Sequence, residues 1–134
     1  MESVKEIYVS IEIARKLWRV KFNGDWHKHY WGYEYGQEFL TTSIYNPEYD
    51  YPAPTHQTVL AWLRRDKHIM ISIQLDKVTD NSFRYCAVIT NLDTLEVMNK
   101  EKIGAPTYES ATEKAIMFVF DYLISQENED SQQD

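Results

Sequence analysis

The sequence predicts an α+β domain, one antiparallel sheet of about four or five strands packed by three helices, in the order α-β-β-α-β-β-(β)-α. Three observations predict it. Residues 8–22 and 107–125 carry apolar side chains at helical spacing, whereas HIMISIQL (68–75) and FRYCAVITNL (83–92) alternate with period two. Ala-Pro-Thr occurs twice, at 53–55 and 105–107, each time directly before a helical pattern.

The elements follow in chain order. Ser10 is a candidate N-cap, with Glu12 in the first turn and Ile11, Ala14, Leu17 and Trp18 on one stripe, and Asn23-Gly24-Asp25 is the expected stop. Residues 26–42 alternate aromatic and β-branched types and predict a hairpin bending near Gly36. YNPEYDYPAP (45–54) holds three prolines and predicts an extended loop rather than an element. Thr55 to Lys67 predicts the second helix, with Val59, Leu60 and Leu63 inward. Ile69, Ile71, Ile73 and Leu75 then share one strand face, DKVTDNS predicts a turn, and Leu95 to Lys100 predicts a shorter strand. The last helix is expected over Thr107–Ser125, on a stripe of Ala111, Ala115, Phe118, Val119 and Tyr122 widened by Ile116, Phe120 and Leu123. One domain is expected over 1–125, with a disordered acidic tail over 126–134. The two Ala-Pro-Thr copies diverge beyond the threonine, so they read as two helix caps and not as a duplicated module.

The formal charge of −7 disfavours casual binding to nucleic acid or to an anionic membrane. Glu127, Glu129, Asp130 and Asp134 supply four of those charges, which leaves −3 for residues 1–125. A wholly acidic surface is therefore not the expectation. The single cysteine, Cys86, lies in an alternating apolar run, excludes an internal disulfide and reads as a small buried hydrophobe. The first ten residues lack the layout of a signal peptide, and the most apolar helix is interrupted by Asp121. A cytoplasmic location away from the membrane is expected.

Three phrases together carry a resemblance. Tyr8-Val9-Ser10-x-Glu12-x-Ala14-x-x-Leu17 with Phe22, Ala53-Pro54-Thr55 with Trp62-Leu63-Arg64 and His68-Ile69, and Thr107-Tyr108-Glu109-x-Ala111 stand in that order. The combination resembles a set of short, uncharacterised proteins from gut anaerobic bacteria and their phages, over most of residues 8–125. Such proteins often have glycine before the phenylalanine, where this chain has Lys21. The resemblance implies a cytoplasmic accessory protein linked to mobile elements, and no activity. Residues 55–125 are also similar in element order to double-stranded-RNA-binding domains, although TYESATEK (107–114) carries glutamates where those domains carry a lysine cluster.

Candidate chemistry is sparse. His27 and His29, two apart on a predicted strand, face one way and are weak metal candidates, with Asp25 or Glu34 as a further ligand of a metal-dependent enzyme. Imidazoles beside aromatics more often pack or hydrogen-bond, so no metal, cofactor or catalytic residue is expected. Trp31, Tyr33 and Tyr35 form an aromatic stripe, and Tyr45, Tyr49 and Tyr51 follow in the proline-rich stretch. Ring area with a polar tip suits an interface, and these six are the candidate partner-binding residues, for another protein or a homodimer. The alternative is nucleic acid held by a basic patch of Arg15 and Arg19 with Arg64 and Arg65, were the first two helices to lie side by side. The leading expectation is a small non-enzymatic interaction module.

Overall fold

Ser10 caps the first helix as its side chain dictates: the Ile13 amide donates to Ser10 Oγ at 3.4 Å. The computed structural model describes residues 7–31, 39–41 and 51–132, and its packing groups the chain into two units, Met1–Val59 and Leu60–Asp134.

In the first unit, α1 is regular only over Ile11–Ala14 and continues as hydrogen-bonded turns. Lys21 ends it with φ 61°, while its amide donates to Trp18 O and the Phe22 amide to Leu17 O. This is a Schellman closure, with Phe22 and Leu17 both buried beside it. The stop therefore falls two residues before the expected Asn23-Gly24. Gly24 has another role, because the Phe22 ring comes within 2.7 Å of where a Cβ would sit. Position 21, a lysine here, is the one that needs a left-handed backbone.

The predicted hairpin forms from β1 (His29–Trp31) and β2 (Phe39–Thr41), antiparallel with Tyr30 opposite Leu40. The bend near Gly36 lies outside the described residues. The proline-rich stretch departs from expectation, since Tyr51–Pro52 forms β3 on the other side of β1 and the order is β2-β1-β3. Pro52 has no N–H, and an outer strand is where that loss is tolerated. Segment 7–9 is tied to the chain entering the second helix, through Val9 N to Pro54 O and His56 N to Ile7 O.

Helix α2 runs over His56–Trp62 and closes in a π-helical turn, Leu63–Lys67. Thr55 caps it, its Oγ1 accepting from the Thr58 amide at 3.2 Å. Thr107 caps α3 in the same way, accepting from the Ser110 amide at 3.0 Å. In both caps a second hydroxyl, Thr58 or Ser110, meets the first. The repeated Ala-Pro-Thr is one capping device used twice.

The second unit is a three-stranded antiparallel sheet, β4 (Ile69–Thr79), β5 (Ser82–Asn91) and β6 (Ile103–Ala105), with α3 (Tyr108–Gln132) against it. The class is α+β as predicted; among the described residues the strands divide into two sheets of three rather than one of four or five. His68 does not start β4, because it takes a left-handed conformation (φ 56°, ψ 42°) that ends the π turn. The third strand begins later than expected. Val97 only bridges to Thr90, and regular pairing resumes at Ile103.

Helix α3 buries Ala111, Thr112, Ala115, Ile116, Val119, Phe120 and Ile124. Phe118 and Tyr122, expected mid-stripe, lie at its margin and line a shallow groove of about 310 Å³ with Asn91 and Met98. The helix continues to Gln132, beyond the end expected near Ser125. Once a helix is nucleated, glutamate and glutamine propagate it at little cost.

Three described non-glycine residues occupy left-handed backbone, Lys21, His68 and Leu95 (φ 63°), and Leu95 is 76% exposed. Replacing Leu95 with glycine removes the Cβ clash and gives up no burial. Leu95→Gly is expected to stabilise the protein by about 1 kcal/mol, and Lys21→Gly to act in the same direction. Chemical denaturation checks this: a midpoint that falls on Leu95→Gly contradicts it.

Candidate interaction surface

The structure describes only part of the residues singled out from sequence. Trp31 ends β1 opposite Phe39. Tyr33, Tyr35, Tyr45 and Tyr49 lie outside the described residues. Tyr51 is half-buried in β3 rather than in a loop, with the Arg15 guanidinium 5.7 Å above its ring.

The histidine pair separates. His27 is exposed and its Nε2 meets the Tyr8 hydroxyl at 3.2 Å, while Lys28 Nζ lies 4.6 Å over the Tyr8 ring. His29 is 2% exposed and stands edge-on to Trp26 at 6.3 Å. His27 precedes the regular strand, so the alternation that would align the two rings does not hold there. Among the described residues no three potential metal ligands come together. Of the bases, Arg15 and Arg19 are exposed on the turns after α1 in the first unit, and Arg64 and Arg65 on the π turn in the second.

The second unit presents two distinct sheet faces. Strand alternation and register put Ile69, Ile71, Ile73 and Leu75 with Ile89, Ala87 and Tyr85 on one face, where the Tyr85 ring packs edge-on to Tyr108 of α3 at 6.0 Å. The other face carries Ser72, Gln74 and Asp76 with Val88, Cys86 and Arg84. Above that polar face the returning chain arches outward. Between the Ala87–Ile103 pair and the Thr90–Val97 bridge, β5 has two residues and the facing chain five. Asn99 holds the arch by acting as a substitute strand. Its Oδ1 accepts from the Ile89 amide at 2.9 Å, and its Nδ2 donates to Ala87 O at 3.1 Å and Glu101 O at 3.0 Å.

Beneath the arch is an open cavity of about 300 Å³ lined by Gln74, Asp76, Cys86, Val88, Asn99 and Lys102 among others. Asp76 accepts from Lys102 Nζ at 3.1 Å and from the Cys86 thiol at 3.6 Å, and Arg84 Nε is 3.7 Å away. The hydrogen bond and charge of Lys102 hold the Asp76 carboxyl below the usual aspartate range, with smaller help from Cys86 and Arg84 against partial desolvation. A carboxylate depressed in the folded state adds stability above its unfolded pKa, lost as pH falls through its folded pKa. Lys102→Met is therefore expected to move the Asp76 titration upward. Its stability loss relative to wild type should appear at neutral pH and fade in acid. A carboxyl-detected NMR titration unchanged in Lys102→Met contradicts this. Cys86, 7% exposed and donating to Asp76, is buried, as its sequence context suggested.

The surface that sequence reasoning missed is the far end of the β4–β5 hairpin. Helix α3 begins beside Tyr85, and the strands run on past it to a turn at Asp80-Asn81 closed by Thr79 and Ser82. Leu75, Val78 and Phe83 are 61%, 55% and 59% exposed there, whereas Ile69, Ile71 and Ile89 nearer the helix are 3%, 7% and 0%. Alternation put Leu75 on the same face as Ile69, Ile71 and Ile73, as the register shows; the helix does not reach far enough to cover it. The only cue was the run of β-favouring residues past Leu75 into the predicted turn. No helix among the described residues is long and apolar enough to cross a membrane. No family model matches the chain, and neither a curated protein nor a solved structure is significantly similar to it.

Proposed function

We propose that this chain is a small non-enzymatic interaction module that presents the projecting β4–β5 hairpin to a protein partner. One observation carries the reading: three large apolar side chains stand more than half exposed at the end of a hairpin whose other end is core. Large apolar residues clustered on a projecting, well-specified element suit binding, because little ordering entropy is lost on contact. The cytoplasmic, mobile-element-associated role belongs to this reading and rests on the sequence resemblance and the unpaired Cys86 thiol. The tyrosine-rich stretch, apart from Tyr51, is a further candidate for the same contact.

Nucleic-acid binding is the second reading, favoured by Trp18, which is 51% exposed between exposed Arg15 and Arg19. A ring flanked by cations on one surface suits base stacking beside phosphate.

The test compares wild type with the triple variant Leu75→Lys, Val78→Lys, Phe83→Lys as baits, with a single-stranded oligonucleotide titration alongside. The expected result is that a partner bound by wild type is lost by the variant at an unchanged melting temperature. An identical partner set for both baits removes the hairpin reading. Salt-sensitive quenching of Trp18 by the oligonucleotide would replace it with the second.

A further inference from the structure

Resting on the interaction reading above, we infer that the partner is a second copy of this chain, joined by antiparallel pairing of the outer edges of two β4 strands. The sheet order β4-β5-β6 leaves β4 at an edge, and among the described residues no strand pairs with its outer side. That edge is 11 residues long, roughly 35 Å of backbone donors and acceptors. Natural edges are protected by charges, proline, bulges or brevity. Over Ile69–Leu75 this strand has no charge, no proline and no glycine. The protective devices appear only beyond it, as Asp76, Lys77 and the irregularity between Lys77 and Thr79. A segment of this composition left open is an aggregation hazard, and pairing removes it.

Charge selects the occupant. The whole chain carries −7, so two copies repel over most approaches. The hairpin 69–91 holds two acids, Asp76 and Asp80, and two bases, Lys77 and Arg84, and is neutral. Each of those charges has an opposite one beside it, Lys77 with Asp80 at 3.2 Å, and Asp76 with Arg84 at 3.7 Å and with Lys102 of the arch at 3.1 Å. Two acidic copies therefore meet at least electrostatic cost along this hairpin. Antiparallel pairing of one strand with its own copy about a twofold axis is self-complementary and closes, giving a dimer and not a filament. Met70, 40% exposed, and Val78, 55% exposed, flank the edge and add apolar contact across the axis.

Sedimentation velocity of the purified full chain tests this, over a concentration series and with Met70→Lys/Val78→Lys and Phe83→Ser beside wild type. The expected result is a wild-type dimer, at least tenfold weaker in Met70→Lys/Val78→Lys, with unchanged circular dichroism and melting. Phe83 is on β5, one strand in from the paired edge, so Phe83→Ser weakens the dimer far less than Met70→Lys/Val78→Lys. A wild type that is monomeric throughout, or a dimer indifferent to Met70→Lys/Val78→Lys, overturns the inference. A monomer whose captured partner still depends on Leu75, Val78 and Phe83 overturns self-pairing and leaves the interaction reading standing. A monomer whose partners ignore those residues overturns both.

Discussion

Phe120→Ala is expected to be the most damaging single truncation on α3, costing about 3–5 kcal/mol. Phe120 has no solvent exposure and lies among Ala115, Ile116, Val119 and Ile124, all buried. All four are alanine or β-branched, so the void has little flexible material to fill it. The melting temperature of the second unit should fall by roughly 10 °C or more. Tyr122→Ala, at the exposed margin of the same helix, should cost less than a third as much by the same mechanism. Equal losses for the two would mean that the helix faces the sheet differently from the arrangement described.

Asn99→Ala is the second large effect, about 2 kcal/mol or more, because it deprives backbone groups of partners instead of creating a void. The Ile89 amide sits mid-strand on β5, beyond the last β5–β6 pair at Ala87–Ile103, and the Asn99 side chain is its acceptor and a second donor to Ala87 O. Asn99→Asp keeps the acceptor for Ile89 and loses both donors, so it should fall between wild type and alanine. Amide hydrogen exchange reads the mechanism directly. Ile89 should lose protection in Asn99→Ala and retain most of it in Asn99→Asp, with the Tyr85–Ala105 end of the ladder unaffected. Uniform loss of protection over β5 would argue that the arch is not held by this side chain.

Much of the local structure was legible in the sequence because it is decided by groups a few residues apart. Thr55 and Thr107 cap helices since a hydroxyl placed before free amides has few other uses, and proline upstream restricts the approach. The isoleucine alternation of β4 and the apolar stripe of α3 were readable because burial on one face imposes its period on the chain. Misreadings arose where a distant partner decides. Tyr51–Pro52 is a strand only because β1 lies beside it. Lys21, and not Gly24, ends α1 because closing the helix onto Leu17 and Trp18 requires a left-handed residue there. His27 and His29 part because the regular strand begins between them.

Periodicity and contacts within one turn are enough to fix the α+β class, the three predicted helices, both Ala-Pro-Thr caps and the place of the β4–β5 hairpin. Long-range packing settles that the described strands form two sheets and that Asn99 replaces a stretch of ladder. It also decided that Leu75, Val78 and Phe83 stand uncovered. Those outcomes depend on where one element ends against another, and apolar patterning fixes which face turns inward without fixing how far the covering helix extends.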